Sequence, residues 1–489
     1  MPLFSTAHSV FSGLQPAAVW AHFATLCRFP RPSKHERALR DELLTWAHGR
    51  RLASEVDAAG NLIIRKAATA GWEQAPGVVL QAHLDMVCQK NGDSEHDFLR
   101  DPIIPGLDGG WLVAKKTTLG ADNGIGVALI LAVLDSADIA HGPIEALLTV
   151  DEEAGMGGAR GLVPGVLQGR LMLNLDTEEW GEFYLGCAGG LDVNVERPSQ
   201  PAAVPDGYQG WQIVLNGLRG GHSGVDINEE RGNAIKLLVR VMRQLELVFP
   251  LCLAVLKGGT ARNALPREAV ASFALPTGMG DRLAAIVAEL QVLLRSELQG
   301  IDDGLVLAVL PCAVSKVLAT EEQAVWLSTL HAAPHGVRRM SRHVPGVVET
   351  SNNLGMVDLQ PTGGSCNFMV RSLLDSASTA LADEIVSLWA LSGTAASKDG
   401  YYPGWAPNPG SALLKICQAV YKRDFGSDST VQVIHAGLEC GIIGAKYPGL
   451  DIVSFGPTIR GAHAPGERVE IASVASCWQL LTAILAELR

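Results

Sequence analysis

The chain has 489 residues, of which 47% are hydrophobic and 18% are charged. This length corresponds to about three average domains, and the low charged fraction excludes an intrinsically disordered protein. The formal net charge is −12. No run of basic residues is long enough to follow a phosphate backbone, so the sequence argues against a nucleic-acid partner.

The cysteines and the N-terminal segment indicate the compartment. Nine cysteines are scattered singly, with no C-x-x-C pair, a pattern typical of reduced thiols. The first thirty residues lack a basic segment followed by an apolar stretch, and the longest apolar helical run, Val127 to Leu134, is far short of the roughly 20 residues that span a bilayer. We expect a cytoplasmic protein without a membrane segment.

The first part of the chain alternates short β-branched segments with helical ones, which is typical of an α/β sheet. Ser33 and Glu36 have the spacing of a capping box ahead of the first helix. The predicted elements are a helix at 33–49, strands at 77–87, 146–150 and 171–176, and a helix at 125–135.

The middle of the chain follows a proline-rich stretch at 197–201. Its pattern predicts the β-α-β-β-α-β order of a ferredoxin-like unit, followed by a second α/β portion. The predicted elements are strands at 211–218, 251–258, 268–275 and 305–310, helices at 231–247 and 281–298, then helices at 320–333 and 377–391 with strands near 346–359 and 366–374.

A second proline- and glycine-rich stretch, at 400–407, precedes a helix at 411–425 and short strands at 431–434 and 452–455. These elements again combine a helix with short strands, as in the first part of the chain. We therefore predict a discontinuous domain, 1–190 and 401–489, with a domain at 191–400 inserted into it.

Acids and histidines follow the predicted strands. His83 and Asp85 end the strand at 77–87 and, two residues apart, share a face, so the carboxylate can orient an imidazole that binds a metal. A His-x-Asp pair taken alone is more often a satisfied structural pair. Further candidates are Asp122 in a glycine-rich loop, Glu152 and Glu153 after a strand, Asp176 after the next strand, and His463 near the C-terminus.

Each of these residues has a structural alternative: Asp122 could be a helix N-cap, and the acids at 151–153 could face water. However, polar residues at the carboxyl ends of strands in an open α/β sheet converge on one crevice. Two imidazoles and three carboxylates suit zinc or a similar divalent ion, and one carboxylate can bridge a pair of ions that generates hydroxide and polarises a carbonyl.

Four stretches, at 79–87, 117–126, 186–190 and 435–441, resemble the di-zinc exopeptidases, the family that includes aminoacylases, carboxypeptidases and dipeptidases. The resemblance implies an α/β catalytic domain of the phosphorylase/hydrolase-like kind with an inserted α+β lid domain. It also implies two zinc ions per subunit, with cobalt or manganese as substitutes, and a homodimer formed through the lid domain.

The resemblance further assigns roles. Asp122 bridges the two metals, His83 and Asp176 complete one site, and Glu153 and His463 complete the other. Glu152 is the general base, and Asp85 orients His83. For substrate contacts it implies His222, in a glycine-rich lid segment, and Asn263; Arg371 is a candidate for a substrate carboxylate, with a structural salt bridge as its alternative. His435 and Glu439 either line the pocket or support it.

The implied reaction is hydrolysis of unblocked dipeptides, Xaa-His dipeptides such as β-alanyl-histidine among them. The alternative on the same scaffold is an N-acyl amino acid amidohydrolase, because both reactions use the same metal centre. A non-catalytic binding protein of this fold would be expected to lose ligands or the base, yet His83, Asp85, Asp122, Glu152, Glu153, Asp176 and His463 are all present.

Overall fold

The computed structural model describes residues 10–342 and 344–489. They divide into two units: the first takes in 10–186, 407–433 and 438–489, and the second takes in most of 187–406 together with 434–437. All nine cysteines are free thiols. In the described residues, no helix combines the length and the apolar character that crossing a membrane requires.

The first unit contains eight helices among its described residues, and they alternate with short strands. The helices are Ala17–Leu26, Arg37–Gly49, Ala121–Asp135, Glu152–Gly155, Gly157–Gly161, Ala412–Phe425, Glu439–Lys446 and Ile471–Glu487. The strands are β1 (Ala53–Val56), β2 (Leu62–Lys66), β3 (Val78–His83), β4 (Gly106–Asp108), β5 (Trp111–Val113), β6 (Ile144–Thr149), β7 (Leu171–Asn174), β8 (Glu182–Cys187), β22 (Thr430–Ile434), β23 (Asp451–Ser454), β24 (Ile459–Arg460) and β25 (Arg468–Glu470).

Eight of these strands form one mixed sheet in the order β1-β2-β6-β3-β7-β23-β8-β22. Its centre, β6-β3-β7-β23, is parallel. Strands β3 and β6 are buried throughout their length, as continuous apolar strands in a parallel sheet are expected to be. The carboxyl ends of these strands therefore meet at one edge of the sheet.

Glycine in the first turns of the helix Ala121–Asp135 allows this helix to pack closely. It is apolar on every side and buried from Asn123 to Leu134, so it belongs to the core rather than to the surface. A side chain at Gly126 would place its Cβ 2.5 Å from the carbonyl oxygen of Leu175. Glycine therefore lets this helix approach the chain segment that follows β7.

A second, four-stranded sheet in the first unit has the order β24-β25-β5-β4. Strands β24 and β25 form a hairpin in which Ile459 pairs with Val469 and Arg460 pairs with Arg468. The loop of this hairpin carries His463, so the sheet fixes both ends of the segment that bears this candidate ligand.

The capping box predicted for Ser33 and Glu36 is wrong. The helix begins at Arg37, and Glu36 makes no side-chain cap. Instead, Glu36 accepts the backbone N–H groups of Lys34 and Asp151, each at 2.9 Å. The Ser33 hydroxyl donates to Asp85 at 2.8 Å, because the tertiary fold offers both side chains stronger partners than the helix end does.

The second unit is built on an antiparallel sheet. Its helices are Ala234–Glu246, Gly280–Glu297, Thr320–Ala332 and Asp375–Leu391, with a 3₁₀ turn at Ile227–Glu229. Its strands are β9 (Gly189–Pro198), β10 (Pro201–Ala203), β11 (Tyr208–Asn216), β12 (Gly221–His222), β13 (Cys252–Gly258), β14 (Ala264–Leu265), β15 (Ala269–Pro276), β16 (Val306–Pro311), β17 (Lys316–Leu318), β18 (Gly336–Met340), β19 (Val348–Gln360), β20 (Gly363–Ser372) and β21 (Ala396–Tyr402).

The main sheet of the second unit runs β16-β11-β15-β13-β19-β20-β9-β21, with β18 paired to β19. Its first four strands have the antiparallel order expected of a β-α-β-β-α-β unit. The ferredoxin-like unit predicted from the sequence is confirmed. Strands β19 and β20 extend the same sheet, and residues of all four helices join its apolar core.

Candidate active site

Two histidines of the first unit face the two oxygens of a single aspartate. His83 Nε2 lies 3.1 Å from Asp122 Oδ1, and His463 Nε2 lies 3.2 Å from Asp122 Oδ2. His83 ends β3, Asp122 lies in the first turn of the buried helix Ala121–Asp135, and His463 lies in the β24–β25 loop. A carboxylate that offers one oxygen to each side has the geometry of a bridging ligand.

Two more carboxylates complete the two sides. Asp176 Oδ1 lies 3.4 Å from His83 Nε2, and Glu153 Oε1 lies 3.1 Å from His463 Nε2. Three sets of potential ligand atoms lie within 4.8 Å of one another: His83 with Asp122 and Asp176, Asp122 with Glu153 and His463, and His83 with Glu152 and Glu153. The first two sets share Asp122, and their donors fit borderline divalent ions such as zinc.

The histidines and carboxylates of the site shift one another's pKa values. Burial disfavours the charged form of Asp122, but hydrogen bonds from His463 and His83 hold its pKa well below the usual range. Hydrogen bonds with Asp122 and Glu153 raise the pKa of His463 to about 11. The site thus already contains the alternation of positive and negative groups that stabilises a buried cluster of carboxylates.

Asp85 connects the first ligand to the segment that carries Glu152. Its Oδ1 lies 3.4 Å from His83 Nδ1, and its carboxylate accepts the backbone N–H groups of Glu152 and Glu153 at 3.0 Å each. Burial opposes its ionisation, but the hydrogen bond and charge of His83 bring the pKa of Asp85 down to about 2. Asp85 is therefore a buried carboxylate that orients both an imidazole and a backbone turn.

The pKa of Glu152 shifts in the opposite direction from that of Asp85. Its backbone is held by Asp85, and its pKa is raised well above the usual value because the carboxyl is desolvated and lies near Asp176 and Glu153, although His83 opposes the rise. A carboxyl whose pKa is raised can accept a proton and later return it.

Two residues that sequence reasoning missed hold the loop before Asp122. The Glu467 carboxylate accepts four consecutive backbone N–H groups at distances of 2.7–3.2 Å, those of Leu119, Gly120, Ala121 and Asp122. The buried Arg31 guanidinium donates to the carbonyl oxygens of Leu84, Asp85 and Gly120 at 2.5–3.0 Å. Glu467 lies four residues after the candidate ligand His463, which is the signal that could have identified it; Arg31 has no comparable signal.

The family model described as Peptidase family M20/M25/M40 matches residues 79–487. The chain belongs to this peptidase family.

The comparisons with individual proteins extend over the whole chain. The Cytosol non-specific dipeptidase of Escherichia coli (strain K12) is 44% identical over 481 residues, which cover 98% of this chain and 99% of that protein. The crystal structure of aminoacylhistidine dipeptidase from Vibrio alginolyticus matches with a TM-score of 0.90 at 45% identity, over 99% of each chain. Aminopeptidase PepT from Bacillus cereus, with a TM-score of 0.56 and 16% identity over 97% of this chain and 99% of that one, shares the fold alone.

In the second unit His222 and Arg371 are neighbours, with His222 Nε2 3.5 Å from Arg371 Nη2. His222 Nδ1 accepts the backbone N–H groups of Gly224 and Val225 at 3.3 and 3.1 Å. Burial and the charge of Arg371 lower the pKa of His222 to about 4. The ring is therefore neutral near pH 7.

Arg371 is buried with neutral partners. Its guanidinium donates to the Tyr402 hydroxyl at 2.9 Å and to the Ser223 hydroxyl at 3.4 Å. Within residues 10–342 and 344–489, no carboxylate forms a salt bridge with it. The salt bridge considered from the sequence is therefore absent, and a buried guanidinium without a carboxylate is well suited to an anionic ligand.

Asn263 is exposed, and its backbone carbonyl oxygen accepts the backbone N–H of Ser223 at 2.8 Å. The short pairing of β12 with β14 places His222 opposite Ala264, so the segments that carry His222 and Asn263 run side by side. In this unit, the buried His435 places its Nε2 2.7 Å from the Ser351 hydroxyl.

Glu439 of the first unit is fully buried. Its Oε2 accepts hydrogen bonds from the Gln81 side-chain amide at 2.7 Å and from the Thr149 hydroxyl at 2.5 Å. Burial raises the pKa of Glu439 to about 8. It thereby ties together the carboxyl ends of β3 and β6, which carry His83 and lead to Glu152.

Proposed function

We propose that this protein is a metal-dependent dipeptidase that hydrolyses unblocked dipeptides, including Xaa-His dipeptides such as β-alanyl-histidine. The observation that carries the proposal is Asp122 with one imidazole at each oxygen, in a chain whose full-length relatives are called cytosol non-specific dipeptidase and aminoacylhistidine dipeptidase. The name of the Escherichia coli relative also supports action in the cytosol.

The proposed metal ligands form two sets that share Asp122. His83 and Asp176 would hold one ion, and Glu153 and His463 the other, with zinc as the proposed metal and cobalt or manganese as substitutes. When bound, such a pair supplies Lewis acidity for the scissile carbonyl and lowers the pKa of a water molecule. Asp85 keeps His83 in the orientation that presents Nε2 to the site.

Glu152 is the proposed general base. Its carboxyl takes a proton from the attacking water and delivers it to the nitrogen of the leaving amino acid, so the same side chain acts as base and then as acid. Its raised pKa supports this role. Its backbone, fixed on Asp85 at 3.0 Å, limits the positions that the carboxyl can reach.

The second unit is proposed to supply the substrate contacts. His222, in the neutral tautomer that carries its hydrogen on Nε2, would donate to the oxygen of the scissile carbonyl, where negative charge develops. Arg371 would bind the substrate carboxylate through its guanidinium, and Asn263 would donate to the substrate from its exposed position. The role of residues 191–400 as a lid domain and dimer interface belongs to the same proposal.

The assay that tests the proposal compares two substrate classes on the zinc-loaded protein. We expect hydrolysis of Ala-His and β-alanyl-histidine, followed by release of free histidine, and little or no release of acetate from N-acetyl amino acids. Turnover of the acylated compounds alone would replace the dipeptidase by an N-acyl amino acid amidohydrolase, the other reaction that this centre supports.

A further inference from the structure

The segment at 219–232 of the second unit carries His222, and one buried carboxylate joins its two ends. Asp302, which is 1% exposed, accepts the backbone N–H of Arg219 through Oδ1 at 2.6 Å and that of Gly232 through Oδ2 at 2.7 Å. Both ends of the segment are therefore fixed. The position of His222 between them depends on contacts inside the segment.

Two glycines precede His222 and leave its backbone many alternative conformations. Gly220 has φ 67° and Gly221 has φ 141°, values that glycine adopts readily and other residues rarely do. Ordering glycine also costs more conformational entropy than ordering any other residue. The pairing of β12 with β14 places Gly221 and His222 against a neighbouring strand of only two residues. Holding His222 in one position thus requires further contacts.

Asp226 supplies two of these contacts. Its Oδ2 accepts the backbone N–H of His222 at 2.7 Å, and its own backbone N–H donates to the carbonyl oxygen of His222 at 3.1 Å. The first of these bonds is charge-assisted, which makes it stronger than a bond between neutral groups. Asp226 therefore fixes the peptide groups on both sides of the Cα that bears the imidazole.

Arg231 connects Asp226 to the backbone before His222. Its Nη2 donates to Asp226 Oδ1 at 2.9 Å, and its Nη1 donates to the carbonyl oxygen of Gly220 at 2.5 Å. Only 11% of the Arg231 side chain is exposed. A Cβ at Gly221 would collide with both Arg231 Nη1 and Asp226 Oδ2. Glycine at this position therefore leaves the space in which the ion pair lies against the backbone.

We propose that Asp226 and Arg231 are the positioning pair for His222. The inference rests on the proposed function, in which His222 donates to the scissile carbonyl, and deepens it, because such a donor is effective only at a defined distance from the developing charge. The His222 ring also lies 3.5 Å from Arg371, the proposed carboxylate-binding residue. The pair acts through His222 and does not itself touch the substrate.

Steady-state hydrolysis of Ala-His by the zinc-loaded protein tests the pair. The Asp226→Asn variant keeps the shape of the side chain but leaves one acceptor oxygen for two donors. We expect kcat to fall by about tenfold, less than the roughly 10²- to 10³-fold loss that accompanies removal of an oxyanion donor. KM should stay within about twofold of the wild-type value, because His222 is proposed to act in the transition state. An unchanged kcat, or a rise in KM alone, would overturn the assignment.

A double-mutant comparison separates positioning from a general effect on the fold. In a His222→Ala background, Asp226→Asn should change kcat by less than about twofold, because the residue through which it acts is gone. Equal losses in both backgrounds would show that Asp226 acts independently of His222. Arg231→Gln should give the same pattern as Asp226→Asn, and it provides a second variant if Asp226→Asn lowers the unfolding temperature.

The matched control is Glu229→Gln. Glu229 is a half-exposed carboxylate that lies 2.6 Å from the same guanidinium, and among the described residues it is not bonded to the backbone of His222. This variant loses the same charge as Asp226→Asn and should keep kcat within about twofold of the wild-type value. A loss equal to that of Asp226→Asn would mean that charge, and not the bond to His222, is what matters.

Hydrogen exchange followed by mass spectrometry tests the pair without hydrolysis. Asp226→Asn should speed amide exchange at 219–232 and leave the rest of the second unit unchanged, whereas Glu229→Gln should exchange as the wild-type protein does. Unchanged exchange at 219–232 in Asp226→Asn would overturn the pair. This measurement remains decisive if the wild-type protein cleaves no dipeptide, an outcome that would contradict only the proposed function.

Discussion

At the scale of single residues, neighbouring carboxyl groups have different properties because of their surroundings. Asp85 accepts three hydrogen bonds from the Ser33 hydroxyl and two backbone N–H groups, so it is stable as an anion. Glu152 is desolvated near other carboxylates, and its pKa is raised. Because their pKa values shift in opposite directions, one carboxyl group can orient its neighbours as an anion while the other carries a proton.

This difference predicts the behaviour of a Glu152→Gln variant. The amide keeps the shape of the side chain but cannot take a proton, so we expect kcat to fall by about 10²- to 10⁴-fold while both zinc ions are retained. Elemental analysis and single-turnover hydrolysis of Ala-His provide the measurement. The control is Asp151→Asn, which changes the preceding acid and should leave kcat near the wild-type value. Normal turnover by Glu152→Gln would assign the base elsewhere.

At the scale of elements, the site depends on loops that distant side chains hold in place. Glu467 lies four residues after His463 and binds the backbone that ends at Asp122. It therefore connects two proposed ligands of one ion. Gly120, at φ 70°, lies within the bound stretch, and a Cβ at this position would meet the Arg31 guanidinium.

The element-scale prediction concerns Glu467→Gln. The amide would leave one acceptor oxygen and direct an NH₂ group toward backbone donors, so the ligand loop loses its support. We expect the zinc affinity of the site formed by Asp122, Glu153 and His463 to fall by about 10- to 100-fold, as for other outer partners of metal ligands.

Competition with a chromophoric chelator measures both zinc affinities of this variant. Glu470→Gln, a change in the adjoining strand β25, serves as the matched control and should bind zinc as the wild-type protein does. Two unchanged affinities in Glu467→Gln would show that the loop keeps its shape without the carboxylate.

At the scale of the whole molecule, the five proposed ligands come from positions 83 to 463 of the chain, all within the first unit. An ion held by such distant segments binds the folded state in preference to the unfolded state, so binding adds to the free energy of unfolding. Protons compete with the ion for His463, because its hydrogen bonds to Asp122 and Glu153 raise its pKa to about 11.

We therefore predict that zinc raises the unfolding temperature of chelator-treated protein. At a zinc concentration a hundredfold above Kd, the free energy of unfolding should rise by about 2.7 kcal/mol. The imidazole must lose its proton to bind, and that loss becomes easier as pH rises toward the raised pKa, so the stabilisation should be larger at pH 8 than at pH 6. Scanning calorimetry at both pH values tests this. The Asp122→Asn variant should show a much smaller shift, and a shift independent of zinc concentration would contradict linkage.

The sequence by itself determined the α/β class, the ferredoxin-like unit and the proposed ligands His83, Asp122, Glu153, Asp176 and His463 as candidates, because these depend on local periodicity and on the rule that parallel strands end at one edge of a sheet. Only the tertiary structure decided the partners of Ser33, Arg31 and Glu467 and the neutral surroundings of Arg371. The physical reason is that a hydrogen bond between Glu467 and the N–H of Asp122 joins residues 345 positions apart. Such a contact leaves no periodic signal in the chain, and it exists only after the core has brought the two loops together.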